Sequence, residues 1–178
     1  MHEVIYVTGG ARSGKSSYAL RLAEPYDRRV FLATAEAFDD EMRARIDRHR
    51  DERGGAFTTI EEPLYIERAL ANLPEGTGVV LLDCLTVWAG NLMHHLGDAS
   101  AIQARIDALL ELLASPPCDI ILVSNEVGMG IVSENAMARA FRDLVGTINR
   151  LVAERATRAY LLCSGLPVIL KQPSTITP

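Results

Sequence analysis

Short apolar runs alternate with longer amphipathic stretches from one end of the chain to the other. Val4–Val7, Val30–Ala33, Val79–Asp83, Ile120–Ser124, Ala159–Cys163 and Val168–Leu170 are apolar at consecutive positions, apart from the closing Asp83 and Ser124. Strands covered on both faces of a sheet read this way. The stretches between them repeat apolar residues every three or four positions, which predicts helices. These fall over about Lys15–Glu24, Asp40–Arg50, Leu64–Asn72, Thr86–Leu96, Ala101–Ala114 and Ser133–Arg155. Ile102, Ile106, Leu109, Leu110 and Leu113 form one clear stripe, and Pro25 stops the first helix. Such alternation predicts right-handed crossovers and a mainly parallel sheet with helices on both faces. Only Ser164-Gly165-Leu166-Pro167 joins the last two strands. That link is too short for a helical crossover, so an antiparallel hairpin is expected at one edge.

Composition narrows the function classes. A length of 178 residues suits one domain over 1–178, with Pro173–Pro178 as a loose tail. Hydrophobic residues at 48% and charged ones at 23% are ordinary for a globular protein, and no apolar stretch is long enough to span a bilayer. The net charge of −5 argues against nucleic acid as a partner. Cys84, Cys118 and Cys163 are odd in number and form no C-x-x-C, and the N-terminus enters a strand without a signal peptide's pattern. Both features predict a reduced, cytoplasmic protein. His94-His95 are adjacent on a helix and point to different faces, a poor start for a zinc site.

The chemistry is concentrated after the first strand. Gly9, Gly14, Lys15 and Ser16 match G-x-x-x-x-G-K-[ST], between an apolar strand and an amphipathic helix. Glycines let the backbone curl so that its N–H groups face phosphate oxygens, and the helix adds its positive dipole end. Lys15 is expected to reach the outer phosphates and Ser16 to ligate Mg²⁺. This phosphate-binding loop (P-loop) predicts a P-loop NTPase-like, three-layer α/β/α fold that binds a nucleoside triphosphate.

Three further segments carry candidate chemistry. Asp83 ends an apolar strand, where an acid either holds Mg²⁺ beside a P-loop or caps the following helix. The segment from Asp39 to Arg50 places acids before arginines, as the helix dipole favours, with Met42, Ile46 and His49 on one stripe. His49 is either a polar residue at the edge of the core or, among its arginines, a nucleophile towards phosphorus. Asn125-Glu126-Val127-Gly128-Met129-Gly130-Ile131 follows the fourth predicted strand. It reads either as a connection whose glycines take unusual backbone angles or as a substrate-side wall.

Taken together, these segments resemble the bifunctional adenosylcobinamide kinase/adenosylcobinamide-phosphate guanylyltransferase family of cobalamin biosynthesis. Thr8–Ser16, Asp39–Met42, Arg45–Arg50 and Asn125–Ile131 carry the resemblance, which covers nearly the whole chain. It implies phosphorylation of adenosylcobinamide, then GMP transfer from GTP through a guanylylated histidine, placed here at His49. It further implies nucleotide contacts at Gly9, Gly10, Ala11, Arg12, Ser13, Gly14, Lys15 and Ser16. Further contacts are implied at Thr34, Ala35, Glu36, Arg50, Asp51, Glu52, Arg53, Glu61 and Asp83. Lys15 and His49 are the implied catalytic residues, Ser16 and Asp83 the metal contacts, and Mg²⁺ with GTP or ATP the cofactor and co-substrate. Similar proteins are homotrimers. A small-molecule kinase without guanylyl transfer explains the P-loop and Asp83 but leaves His49 idle. A regulatory GTP-binding switch usually carries N/T-K-x-D, which this chain lacks.

Overall fold

In a computed structural model, which describes residues 2–36 and 54–173, the strands form one seven-stranded sheet. They are β1 (Val4–Gly9), β2 (Arg29–Ala33), β3 (Thr58–Glu61), β4 (Val79–Asp83), β5 (Asp119–Val123), β6 (Arg158–Cys163) and β7 (Leu166–Lys171). The spatial order is β3-β2-β4-β5-β1-β6-β7. Neighbours from β3 through β6 pair in parallel, and β6–β7 is antiparallel, as the short link requires. That hairpin is tighter than the four-residue link expected. Ser164 and Gly165, at φ 53° and 83°, make the turn, and β7 already begins at Leu166. Positive φ at both central residues is the condition for a twist-matched two-residue turn. Pro167 is accommodated because β7 is an edge strand.

The described helices are α1 (Lys15–Ala23), α2 (Ile66–Ala71), α3 (Leu85–His95), α4 (Ala99–Ala114) and α5 (Ala136–Arg155). Alternate strand residues feed two cores. Val4, Tyr6, Val80, Leu82, Ile120 and Leu122 pack against α2 to α5, with Trp88, Leu92, Leu109 and Ile148 fully or almost fully buried. Ile5, Val7, Val79, Leu81, Ile121 and Val123 pack against Ala19 and Ala23 of α1 on the opposite face. Each buried Leu or Ile of these layers contributes about 1.5–3 kcal/mol through removal from water. The helix predicted over Asp40–Arg50, with His49, lies outside the described residues, as do Arg50, Asp51, Glu52 and Arg53.

Local hydrogen bonds decide where helices begin. The Glu62 carboxylate accepts from the N–H groups of Leu64 (2.9 Å) and Tyr65 (2.8 Å), so α2 starts at Ile66 rather than Leu64. Asp98 accepts from Ala101 N–H at 2.9 Å, which starts α4 at Ala99. Asn135 N-caps α5, accepting from Ala138 N–H at 3.1 Å, so the helix starts at Ala136, three residues after the predicted Ser133. β3 has no counterpart among the predicted strands. It pairs with β2 from Val30↔Thr58 to Ala33↔Glu61 and carries Glu61 to the same edge as Ala33.

Candidate functional site

The carboxyl ends of β1, β2, β3, β4 and β5 bring Gly9, Ala33, Glu61, Asp83 and Val123 to one edge of the sheet. Open α/β sheets bind ligands at this edge. Gly9 leaves β1 at φ 148° and Gly14 enters α1 at φ 94°. A Cβ at Gly9 would stand 2.4 Å from the Leu162 backbone oxygen, so the first loop glycine is required by space as well as by angle. Arg12, at φ 56°, takes a left-handed conformation that costs a non-glycine residue roughly 1–3 kcal/mol. Gly10, Ala11 and Arg12 are exposed, whereas Ser13 and Lys15 are buried.

The Lys15 ammonium donates to Gly10 O at 2.5 Å and to Ser13 Oγ at 3.4 Å, so it folds back over its own loop. Burial lowers its pKa below the ordinary lysine value, while the neighbouring Asp83 and Cys84 act in the opposite direction. Its charge is therefore poorly solvated and well placed to meet an anion. Ser16 Oγ donates to Asp83 Oδ2 at 2.9 Å. A hydroxyl and a carboxylate in contact form a hard oxygen pair of the kind Mg²⁺ takes together with phosphate oxygens and water. Asp83 is not the cap of the next helix. Cys84 is, its Sγ accepting from Val87 N–H at 3.5 Å, and burial pushes its thiol up to about 11.

Thr34 stitches this centre to β2. Its Oγ1 accepts from Cys84 N–H and donates to Cys84 O, both at 2.9 Å, while its own carbonyl accepts from Asn91 Nδ2 at 2.7 Å. Ala35 and Glu36 follow, half-buried, and Glu36 pairs with His95 at 2.7 Å. Glu61 is exposed at the end of β3.

Two supports had no signal in the sequence. Gly165 N–H donates to Ser13 O at 3.0 Å, so the β6–β7 turn props the P-loop. On the other side, Glu126 N–H donates to Gly9 O at 3.0 Å. Behind Asn125 lies a closed ring of hydrogen bonds. Asn125 N–H donates to Thr86 Oγ1 (2.7 Å), and the Thr86 and Ser124 hydroxyls meet at 3.1 Å. Ser124 donates to Asn149 Oδ1 (2.6 Å), and Asn149 Nδ2 returns to Asn125 O (3.0 Å). Buried polar groups must be satisfied, and this ring does so while fixing the exit of β5 to α3 and α5. Gly128 and Gly130 do not supply unusual backbone angles, contrary to that reading of the loop, since neither has a positive φ. Gly128 instead gives its N–H to Glu126 Oε1 at 2.6 Å, and a Cβ there would stand 2.9 Å from the same oxygen.

Residues 5–170 match the family described as cobinamide kinase / cobinamide phosphate guanyltransferase. The chain belongs to this family. It is 37% identical over 180 aligned residues to the bifunctional adenosylcobalamin biosynthesis protein CobU of Escherichia coli K12, covering 94% of this chain and 99% of that protein. It is 42% identical over 166 residues to the bifunctional protein CobP of Pseudomonas aeruginosa, covering 93% and 95%. The solved structures resemble it in fold alone. A Pyrococcus horikoshii protein aligns with TM-score 0.58 at 9% identity, covering 97% of this chain and 88% of that one. An ATPase from a bacterial type III secretion system aligns with TM-score 0.51 at 11% identity, covering 89% and 50%. This chain carries the P-loop, the buried lysine and the serine–aspartate pair at its sheet edge. Among the described helices none is long and apolar enough to cross a membrane.

Proposed function

We propose that this chain phosphorylates adenosylcobinamide and then transfers GMP from GTP to adenosylcobinamide phosphate, giving adenosylcobinamide-GDP in cobalamin biosynthesis. The observation that carries the reading is the family match over residues 5–170, joined to an intact P-loop whose Ser16 touches Asp83.

In the kinase step, the loop from Gly9 to Ser16 holds the triphosphate of GTP or ATP. Lys15 lies along the outer phosphates, exchanging its bond to Gly10 O for phosphate oxygens and stabilising charge as the γ-phosphoryl group moves to the aminopropanol hydroxyl. Ser16 and Asp83 would hold Mg²⁺, which would supply positive charge against the triphosphate. Thr34, Ala35, Glu36 and Glu61 flank the nucleotide from β2 and β3, with Arg50, Asp51, Glu52 and Arg53 as further contacts. Much of the rate enhancement comes from positioning.

In the transferase step, neutral His49 attacks the α-phosphorus of GTP. A P–N bond forms as the bond to pyrophosphate breaks, and the corrinoid phosphate oxygen then displaces the imidazole to form the new P–O bond. The covalent intermediate divides a difficult meeting of two anions into two easier displacements. We propose that the active assembly is a homotrimer working in the cytoplasm.

The test is product analysis by chromatography and mass spectrometry after incubation of the protein with adenosylcobinamide, GTP and Mg²⁺. Adenosylcobinamide phosphate should appear first and adenosylcobinamide-GDP after it. Accumulation of the phosphate alone would reduce the activity to that of a simple kinase. No corrinoid product at all would refute the proposal.

A further inference from the structure

A hollow of about 420 Å³ opens beside the nucleotide centre, between α3 and α5. Among the described residues, Thr86, Val87, Gly90, Asn91, His94 and Phe141 line it. We propose that this hollow is the corrinoid acceptor's docking site, seating the edge of the macrocycle whose side arm is phosphorylated. This rests on the family function proposed above and goes further by placing the acceptor.

The lining has the right chemistry. A corrinoid offers a broad apolar ring fringed by neutral amides. The hollow offers Val87 and Phe141 as apolar walls, its neutral Thr86 and Asn91 are held by bonds to the framework, and His94 is the titratable residue among the described lining. Among the described residues, its lining holds no lysine or arginine to hold a phosphate.

Its connections also favour the acceptor. Asn91 in the hollow donates to Thr34 O at 2.7 Å, and Thr34 Oγ1 grips both sides of Cys84, next to Asp83. Thr86, on the other side, belongs to the hydrogen-bonded ring that fixes Asn125. A group seated here therefore rests against the framework that carries Ser16 and Asp83. Large apolar side chains are also exposed along the chain that leads into α5. Met137 stands one helical turn before Phe141 on α5 and is 75% exposed. Between Asn125 and Met137, Val127, Met129, Ile131 and Val132 all leave large apolar side chains in solvent. Such a patch on a soluble protein marks a binding surface, and flexible methionines suit a ligand of irregular outline. A macrocycle larger than the hollow needs a wall of this kind.

Gly90 provides a clean perturbation. A Cβ there would meet Phe141 Cε2 at 3.7 Å, an ordinary contact, so alanine fits and a longer side chain grows into the hollow. The experiment measures kinase kinetics with adenosylcobinamide and binding of a fluorescent GTP analogue. Wild type, Gly90→Ala, Gly90→Leu and Phe141→Ala are compared, with thermal melting and sedimentation velocity on each. Gly90→Leu should raise KM for adenosylcobinamide by at least about tenfold with kcat little changed, and Phe141→Ala should raise it in the same direction. Affinity for the GTP analogue should stay within about twofold of wild type in both, because neither residue belongs to the P-loop or to the Ser16–Asp83 pair. Folded Gly90→Leu and Phe141→Ala proteins with unaltered KM would overturn the proposal. So would a Gly90→Leu protein whose KM changed only together with its sedimentation, since the hollow would then be a contact between copies of the chain. A wild-type protein that cannot phosphorylate adenosylcobinamide would instead refute the family function, and the docking site with it.

Discussion

Replacing Gly9 with alanine should damage the P-loop far more than the same change one residue later. At Gly9 the backbone has φ 148°, and a Cβ would stand 2.4 Å from Leu162 O and 2.7 Å from Ser13 Oγ. The Ser13 hydroxyl can rotate away. Leu162 O cannot, because Leu162 is paired in the sheet with Gly9 itself. The unfavourable backbone angle costs roughly 1–3 kcal/mol, and moving β6 away from β1 adds a penalty of similar size. A loss of about 2–6 kcal/mol is therefore expected, a large part of the 5–15 kcal/mol typical of a folded domain. At Gly10, no heavy atom lies within 4 Å of an added Cβ, and φ is not positive. Gly10→Ala should change stability by less than about 0.5 kcal/mol. Urea unfolding of the two variants and wild type, followed by Trp88 fluorescence, gives the comparison. Equal losses at the two positions, or a neutral Gly9→Ala, would refute the argument from close approach.

Other consequences follow from the same centre. Asp83→Asn keeps a partner for Ser16 but removes the negative charge, so the kinase kcat should fall about 100-fold, or about 2.7 kcal/mol in the barrier; a rate within a few-fold of wild type would remove Asp83 from the metal pair. The lowered pKa of Lys15 means that the folded protein holds fewer protons than the unfolded chain between the depressed value and the ordinary 10.5. Nucleotide-free wild type should therefore gain stability relative to Lys15→Met as pH rises through that window, and urea titrations showing the opposite slope would contradict the burial argument. Asn149→Ala breaks the ring at two bonds and strands the Asn125 carbonyl and the Ser124 hydroxyl, a loss of about 2–4 kcal/mol. A melting temperature unchanged from wild type would count against the ring as a fastening of the β5 exit.

The parts of this molecule legible in the sequence are those whose cause is local. The P-loop announces itself because each of Gly9, Gly14, Lys15 and Ser16 has its own mechanical need within eight residues. β1, β4 and β5 are continuous apolar runs because helices cover both faces. β3 escaped notice for the converse reason. Thr58-Thr59-Ile60-Glu61 is a half-exposed edge strand, so it needs neither an apolar run nor clear alternation. Asp83 left two readings open; the fold removes the helix cap, which Cys84 supplies, and sets Asp83 against the Ser16 hydroxyl. The ring of Thr86, Ser124, Asn125 and Asn149 joins residues 24 to 39 positions apart, and the P-loop prop at Gly165 is more distant still. No window along the chain contains such partners. His49 is the reverse case, where resemblance names a role that lies outside the described residues.

The central claim is covalent guanylyl transfer, and the most direct measurement is intact-protein mass after incubation with GTP and Mg²⁺, with His49→Ala in parallel. The account predicts an acid-labile, GMP-sized increment on the wild type that is absent from the variant. Loading should also decline below about pH 6, as the imidazole takes up a proton and loses its nucleophilic lone pair. No increment on a wild-type protein that demonstrably binds GTP, or an increment that persists in His49→Ala, would contradict it.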